Sequence, residues 1–147
     1  MTDSNRSFVD TNIFVYAHLD NDTEKHSKAK FLFESVLIGK KVIISAQVVN
    51  EFYSAMSKYK YSHNEIVEFV SEISAKANIQ SISFSTSKKA FYIRDKYQYS
   101  WWDSLVLASA LENDCKIVYS EDMQNGQIIE NTLKIVNPFL ATGGIQV

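Results

Sequence analysis

Four acidic residues of this chain stand where α/β proteins do chemistry: Asp10, Glu51, Asp103 and Asp122. Asp10 closes the run Arg6-Ser7-Phe8-Val9 and is followed by Thr11-Asn12. Glu51 belongs to Val48-Val49-Asn50-Glu51-Phe52, and Asp122 stands three residues beyond the apolar Ile117-Val118-Tyr119. Asp103 is the only charged residue in Tyr99–Leu111, a stretch apolar on every side of a helical wheel. A lone carboxylate in an interior costs several kcal/mol unless it is paired or bound to a metal. Each acid also has a plain structural explanation. Asp103 lies three residues after Ser100, in capping-box spacing; Asp10 suits a turn or cap, Glu51 a solvated helix face and Asp122 a loop. Gathered at one edge, the four would repel one another and stay ionised only beside cations. All-oxygen donors suit Mg²⁺ or Mn²⁺ rather than Zn²⁺. His18, His26 and His63 are dispersed, and no Gly-rich phosphate loop is present. The chemistry of such a site is in-line attack on a phosphodiester: one ion lowers the pKa of a water and a second steadies the leaving oxygen. Thr11, Asn12 and Ser120 are placed to orient water or ligands by hydrogen bonds.

Bringing those four acids together is the task of the intervening elements. Arg6–Val9 reads as a first strand, and Ile13–Ala17 as one or two helical turns. Ala29, Leu32, Phe33, Val36 and Leu37 repeat at helical spacing over Lys25–Lys40, with Gly39 near the stop. Lys41–Ser45 is a β-branched second strand. Ser45 is placed to cap Ala46–Lys58, whose apolar face is Val48, Val49, Phe52, Tyr53 and Met56. After the turn Lys58-Tyr59-Lys60-Tyr61, Ser62 and Glu65 form a capping-box pattern that opens a helix over Asn64–Asn78. A third strand is expected over Ile79–Phe84, a helix over Ser85–Tyr97 and a fully buried helix to Asn113. A fourth strand follows over Lys116–Tyr119, a turn over Met123–Gly126 and a last strand over Leu133–Val136. Strands alternating with helices predict an α/β fold of three layers, α/β/α, with a central, mostly parallel sheet of about five strands. In such sheets working groups collect beyond the carboxyl ends of the strands. All four acids fall at that end.

At 147 residues, residues 1–147 are expected to form a single domain, with 141–147 a loose tail. A hydrophobic content of 46% with only four Gly and one Pro argues against a disordered or fibrous chain. The lone Cys115 excludes an internal disulfide and suits a small buried position. The chain opens without a basic-then-apolar signal and has no apolar run near 18 residues, so a cytoplasmic location without membrane contact is expected. A net charge of −2 does not advertise nucleic-acid binding. Any polyanion contact falls to local patches: Lys58 and Lys60 with Tyr59 and Tyr61, and Lys88, Lys89, Arg94 and Lys96 with Tyr97 and Tyr99. Each of these cations equally suits a solvated helix face.

Asp10-Thr11-Asn12 after an N-terminal strand, Glu51 in Val-Val-Asn-Glu-Phe, Trp-Trp-Asp-Ser-Leu-Val-Leu-Ala-Ser-Ala and Tyr-Ser-Glu-Asp-Met-Gln-Asn-Gly together resemble a PIN domain. The resemblance is to the small VapC-like toxin ribonucleases of VapBC toxin–antitoxin pairs and runs from Phe8 to about Leu140. It implies a five-stranded parallel sheet, with Asp10, Glu51, Asp103 and Asp122 as the catalytic, metal-binding quartet and Thr11, Asn12 and Ser120 as its polar supporters. It further implies Mg²⁺ or Mn²⁺ dependence, endonucleolytic cleavage of RNA, a homodimer and inhibition by a VapB-like antitoxin. The helix pair over 46–78 is the surface expected to meet the antitoxin or a second copy. The rival readings are an RNA-processing PIN nuclease without an antitoxin and a non-catalytic RNA- or antitoxin-binding module. A binding module gains little from repelling acids beside a polyanion. A phospho-acceptor domain would want a Lys at a strand end, and none stands there.

Overall fold

Short apolar runs and amphipathic helices alternate along the chain, and the computed structural model folds them into one layered sheet. It describes residues 5–21 and 23–140; the tail expected over 141–147 lies outside the described residues. The strands are β1 (Arg6–Val9), β2 (Lys41–Ser45), β3 (Ala77–Gln80), β4 (Ile117–Tyr119), β5 (Ile128–Ile129) and β6 (Leu133–Val136). The helices are α1 (Thr11–His18), α2 (Glu24–Phe31), α3 (Ala46–Lys58), α4 (His63–Lys76), α5 (Phe84–Tyr97) and α6 (Trp101–Glu112); a π turn over Leu32–Val36 extends α2.

Strand order across the sheet is β3-β2-β1-β4-β6-β5, with every pairing parallel except β5 against β6. The chain therefore steps from β1 outward to β2 and β3, then returns past β1 to lay down β4 on its other side. Right-handed crossovers in opposite directions put their helices on opposite faces. Accordingly α1 packs on α2 and α3, and α3 on α4, while α5 and α6 pack on each other as a separate pair. The reversal between β1 and β4 opens a crevice at their carboxyl ends. The central core is Phe8, Ile13, Ile43, Ile44, Phe52, Leu107, Val118 and Tyr119, all buried. Between α5 and α6, Ala90, Leu105 and Ala108 form a second small cluster, whose alanines let the two backbones approach.

Several expectations need correction. The sheet has six strands, because the two-residue β5 is too short to carry a periodicity; it forms a hairpin on β6 through Ile128↔Lys134 and Ile129↔Leu133. The third strand is Ala77–Gln80, not Ile79–Phe84, and α4 ends at Lys76, not Asn78. Pairing Val42↔Ala77 through Ser45↔Gln80 claims those residues for the sheet. Ser83 then caps α5 by accepting from Thr86 N–H. Ser62 and Glu65 do close a capping box, but Ser45 caps nothing with its side chain: its hydroxyl is buried and unpartnered. In α6, Ser104–Ala110 are buried without interruption, yet Trp102 is 58% exposed, so the helix is not buried all round. Cys115 is buried, and burial pushes its thiol pKa up to about 12, which keeps it inert. Among the described residues, no helix is long and apolar enough to cross a membrane.

Candidate active site

Strand register builds the floor of the crevice. Val9 pairs with Tyr119, and Asp10 N–H donates to the Tyr119 carbonyl at 2.9 Å, so Asp10 and Ser120 leave the sheet side by side. The Ser120 hydroxyl donates to Asp10 Oδ2 at 2.9 Å and accepts from Asp122 N–H at 3.2 Å. Asp10 is also the N-cap of α1, its Oδ1 accepting from Thr11 N–H at 2.7 Å. The positive end of α1 therefore faces this carboxylate. Capping does not exclude a chemical role, because the two oxygens hold different donors.

Helix α3 brings Glu51. Thr11 Oγ1 donates to Glu51 Oε1 at 3.0 Å, while Gln47, one turn earlier, places Nε2 3.5 Å from Glu51 Oε2 and 3.2 Å from the Trp102 carbonyl. Gln47 thus ties α3 to the first turn of α6. There Ser100 caps the helix by accepting from Asp103 N–H at 3.1 Å. Asn12 Nδ2 donates to Asp122 Oδ2 at 2.9 Å, across the crevice from α1 to the loop after β4. Behind that loop, Glu121 accepts from Tyr16 at 2.9 Å and is bridged by Lys25.

All four carboxylates line one cavity of about 700 Å³, together with Thr11, Asn12, Tyr16, Lys58, Tyr59 and Trp102. Burial dominates its electrostatics. It pushes the Asp10 carboxyl up to about 7 against the lowering bonds from Thr11 and Ser120, with Asp103 and Glu51 raising it further. Asp103 is raised by burial and then by the charge of Asp122, and Asp122 by burial and then by Glu121, against Lys25. Carboxylates gathered on one cavity wall are the donor set a hard divalent cation relieves. Among the described residues no three His, Cys, Asp or Glu side chains close into a tight ligand cluster.

The supporters expected from sequence stand in contact with the acids: Thr11 on Glu51, Asn12 on Asp122, Ser120 on Asp10. Of the six cations singled out, only Lys58 lines the cavity. Lys60 sits in the turn after α3 with φ +69°. On α5, Lys88 lies over the Phe84 ring, Arg94 bonds the Tyr99 carbonyl and Lys96 bonds Glu130; Lys89 is exposed. Gln47, Tyr16 and Trp102 escaped the sequence reading. The only signal for Gln47 is its position four residues before Glu51 on one helix face.

The PIN domain family model matches residues 7–125. Among solved structures, VapC20 of Mycobacterium tuberculosis, a sarcin-ricin loop cleaving toxin, is similar with a TM-score of 0.65 at 19% identity, over 79% of this chain and 91% of that one. VapBC2 from Rickettsia felis, bound to a DNA fragment from its promoter, gives 0.62 at 16%, over 90% and 99%. A toxin–antitoxin complex from Klebsiella pneumoniae gives 0.64 at 19%, over 90% and 97%. At these identities the likeness is one of fold. No curated protein matches the chain by sequence.

Proposed function

Because the chain belongs to the PIN-domain family, we propose that it is a divalent-metal-dependent endoribonuclease, acting as the toxin of a type II toxin–antitoxin pair. The observation that carries the reading is the convergence of Asp10, Glu51, Asp103 and Asp122 on one cavity at the reversal point of the sheet. Similarity in fold to a sarcin-ricin loop cleaving toxin and to toxins solved in antitoxin complexes supports it.

Asp10, Glu51, Asp103 and Asp122 would hold Mg²⁺ or Mn²⁺, which when bound supplies an acidified water and offsets charge on a phosphodiester. The protein's own work is positional. Ser120 and the Thr11 N–H fix the two oxygens of Asp10. Thr11 and Gln47 fix Glu51, and Asn12 fixes Asp122. Such held side chains cost no reorganisation when the phosphodiester arrives. Lys58 is the one Lys or Arg among the described residues of that lining and offers a cation to meet a phosphate oxygen.

The test is cleavage of total and transfer RNA by the purified chain with Mg²⁺ or Mn²⁺, beside Asp103→Asn. Discrete cuts, stopped by chelator and lost by at least about 100-fold in a folded Asp103→Asn protein, are expected. Equal inertness of both proteins over many RNAs would overturn the reading in favour of a binding module. Relief of growth inhibition by a small protein encoded beside this one would separate a toxin from a processing nuclease.

A further inference from the structure

Trp102 is the large side chain whose position contradicts its helix. From Ser104 to Ala110 every residue of α6 is buried, yet the Trp102 indole, one residue before Asp103, is 58% exposed and lines the acidic cavity. Exposed aromatics scattered over a surface need no explanation. This one stands on a rigid base. Its carbonyl is held by the buried Gln47, and its neighbour Trp101 is stacked on Phe91 with ring centroids 5.3 Å apart. A second exposed ring lines the same cavity from a different helix: Tyr59, at 55% exposure, ends α3. The turn that carries it is fixed by Tyr59 N–H on the Ala55 carbonyl at 3.2 Å and Lys60 N–H on that of Ser57 at 2.9 Å. Lys58 lies beside it in the lining.

We propose that Trp102 and Tyr59 are base-stacking residues, which hold unpaired nucleotides flanking the phosphodiester presented to the carboxylates, while Lys58 takes a backbone phosphate. This rests on the nuclease reading and narrows it to single-stranded or looped RNA. Backbone held before binding leaves only the side-chain torsions of the two rings to be ordered on stacking. Aromatic stacking tolerates any base but needs its face free, and a base inside an A-form duplex has both faces covered by its neighbours. The acidic wall repels a polyanion, so base faces and one lysine supply attraction that the net charge of −2 withholds. The alternative occupant of these rings is another protein surface.

The experiment titrates the Asp103→Asn chain with a random-sequence pool of oligoribonucleotides about 15 nucleotides long, single-stranded or annealed to its complement. It follows affinity by the anisotropy of an end-labelled oligoribonucleotide, stacking by tryptophan fluorescence and self-association by sedimentation, and repeats the titration with Trp102→Ala, Trp102→Phe and Tyr59→Ala added. Single strands are expected to quench the fluorescence and bind about tenfold or more tighter than duplex. Trp102→Ala should weaken binding by about tenfold and abolish most of the quenching, with Trp102→Phe within about threefold of the parent. Circular dichroism checks that each variant is folded. Unchanged affinity in Trp102→Ala and Tyr59→Ala overturns the proposal. So does a loss of self-association by Trp102→Ala with RNA binding intact, which makes the ring a protein contact. Cleavage by wild type of RNA that the pool experiment shows unbound overturns stacking and leaves the nuclease standing. Neither binding nor cleavage overturns both.

Discussion

Asp10 is held by the chain in a state that costs stability. Its carboxyl, buried among acids, has a folded pKa of about 7 against an ordinary value of 3.8. The folded state therefore binds more protons than the unfolded one between those values. Stability must fall as pH rises from about 4 to about 7 and level off above. Asp103 and Asp122 are raised in the same sense. Metal-free wild type should then melt lower at pH 8 than at pH 5, and Asp10→Asn should melt about 3 °C or more above wild type at pH 8 while losing activity. Calorimetry at both pH values checks this; a melting temperature indifferent to pH would contradict it. Ser120 works against the shift. Its hydroxyl is the second largest lowering influence on Asp10, and it also fixes the loop of Asp122. A hydrogen bond to a charged group is worth about 1.5–3 kcal/mol, or one to two pKa units. In metal-free Ser120→Ala the midpoint of the Asp10 titration should accordingly move up by about one unit, which an NMR titration of that carboxyl reads directly.

Among the elements, α6 supplies Asp103 and carries some needless polarity. Ser104 and Ser109 are buried in it with unpartnered hydroxyls. Because a buried hydroxyl without a partner gains nothing and Ala is the better helix former, Ser109→Ala should be neutral or stabilising by up to about 1 kcal/mol. At Ala108, packed with Ala90 and Leu105, Ala108→Leu should cost about 1–3 kcal/mol by forcing α5 and α6 apart. Urea unfolding of the two variants decides both, and a destabilised Ser109→Ala would mean that the hydroxyl has a partner in solution. The sequence made α3 and the first two strands legible because their β-branched and amphipathic patterns are uninterrupted. Strand β3 is expected too late in the chain because Ala77-Asn78-Ile79-Gln80 alternates apolar and polar over only four residues, and Ala77 also prolongs the helical pattern of α4; pairing with β2 makes it a strand. Trp102 was misread because hydropathy reports how apolar a residue is, not whether its turn projects past the layer that would cover it.

On the scale of the whole molecule, the site exists only through topology. Asp10, Glu51, Asp103 and Asp122 come from four separate segments and meet because β4 returns beside β1. Their order and strand-end placement were readable from the chain. The Gln47 contacts that tie α3 to the first turn of α6 were not, because they cross between helices. Four acids on one cavity wall also make ligation stabilising for the entire fold. A divalent ion at 100 times its dissociation constant should add about 2.7 kcal/mol, raising the melting temperature of wild type but not of an Asp10→Asn, Asp103→Asn double variant. An equal rise in both would place the ion elsewhere. The return of β4 has a temporal side as well. Synthesis proceeds from the N-terminus, and a growing chain that has reached residue 100 carries Asp10 and Glu51 with neither Asp103 nor Asp122. One margin of β1 then waits open for a strand not yet made. At about 5–20 residues per second that interval lasts seconds, during which the nascent polypeptide lacks two of the four cavity acids beside the ribosome that is making it. Whatever chemistry this cavity supports begins only after Asp103 and Asp122 have been translated.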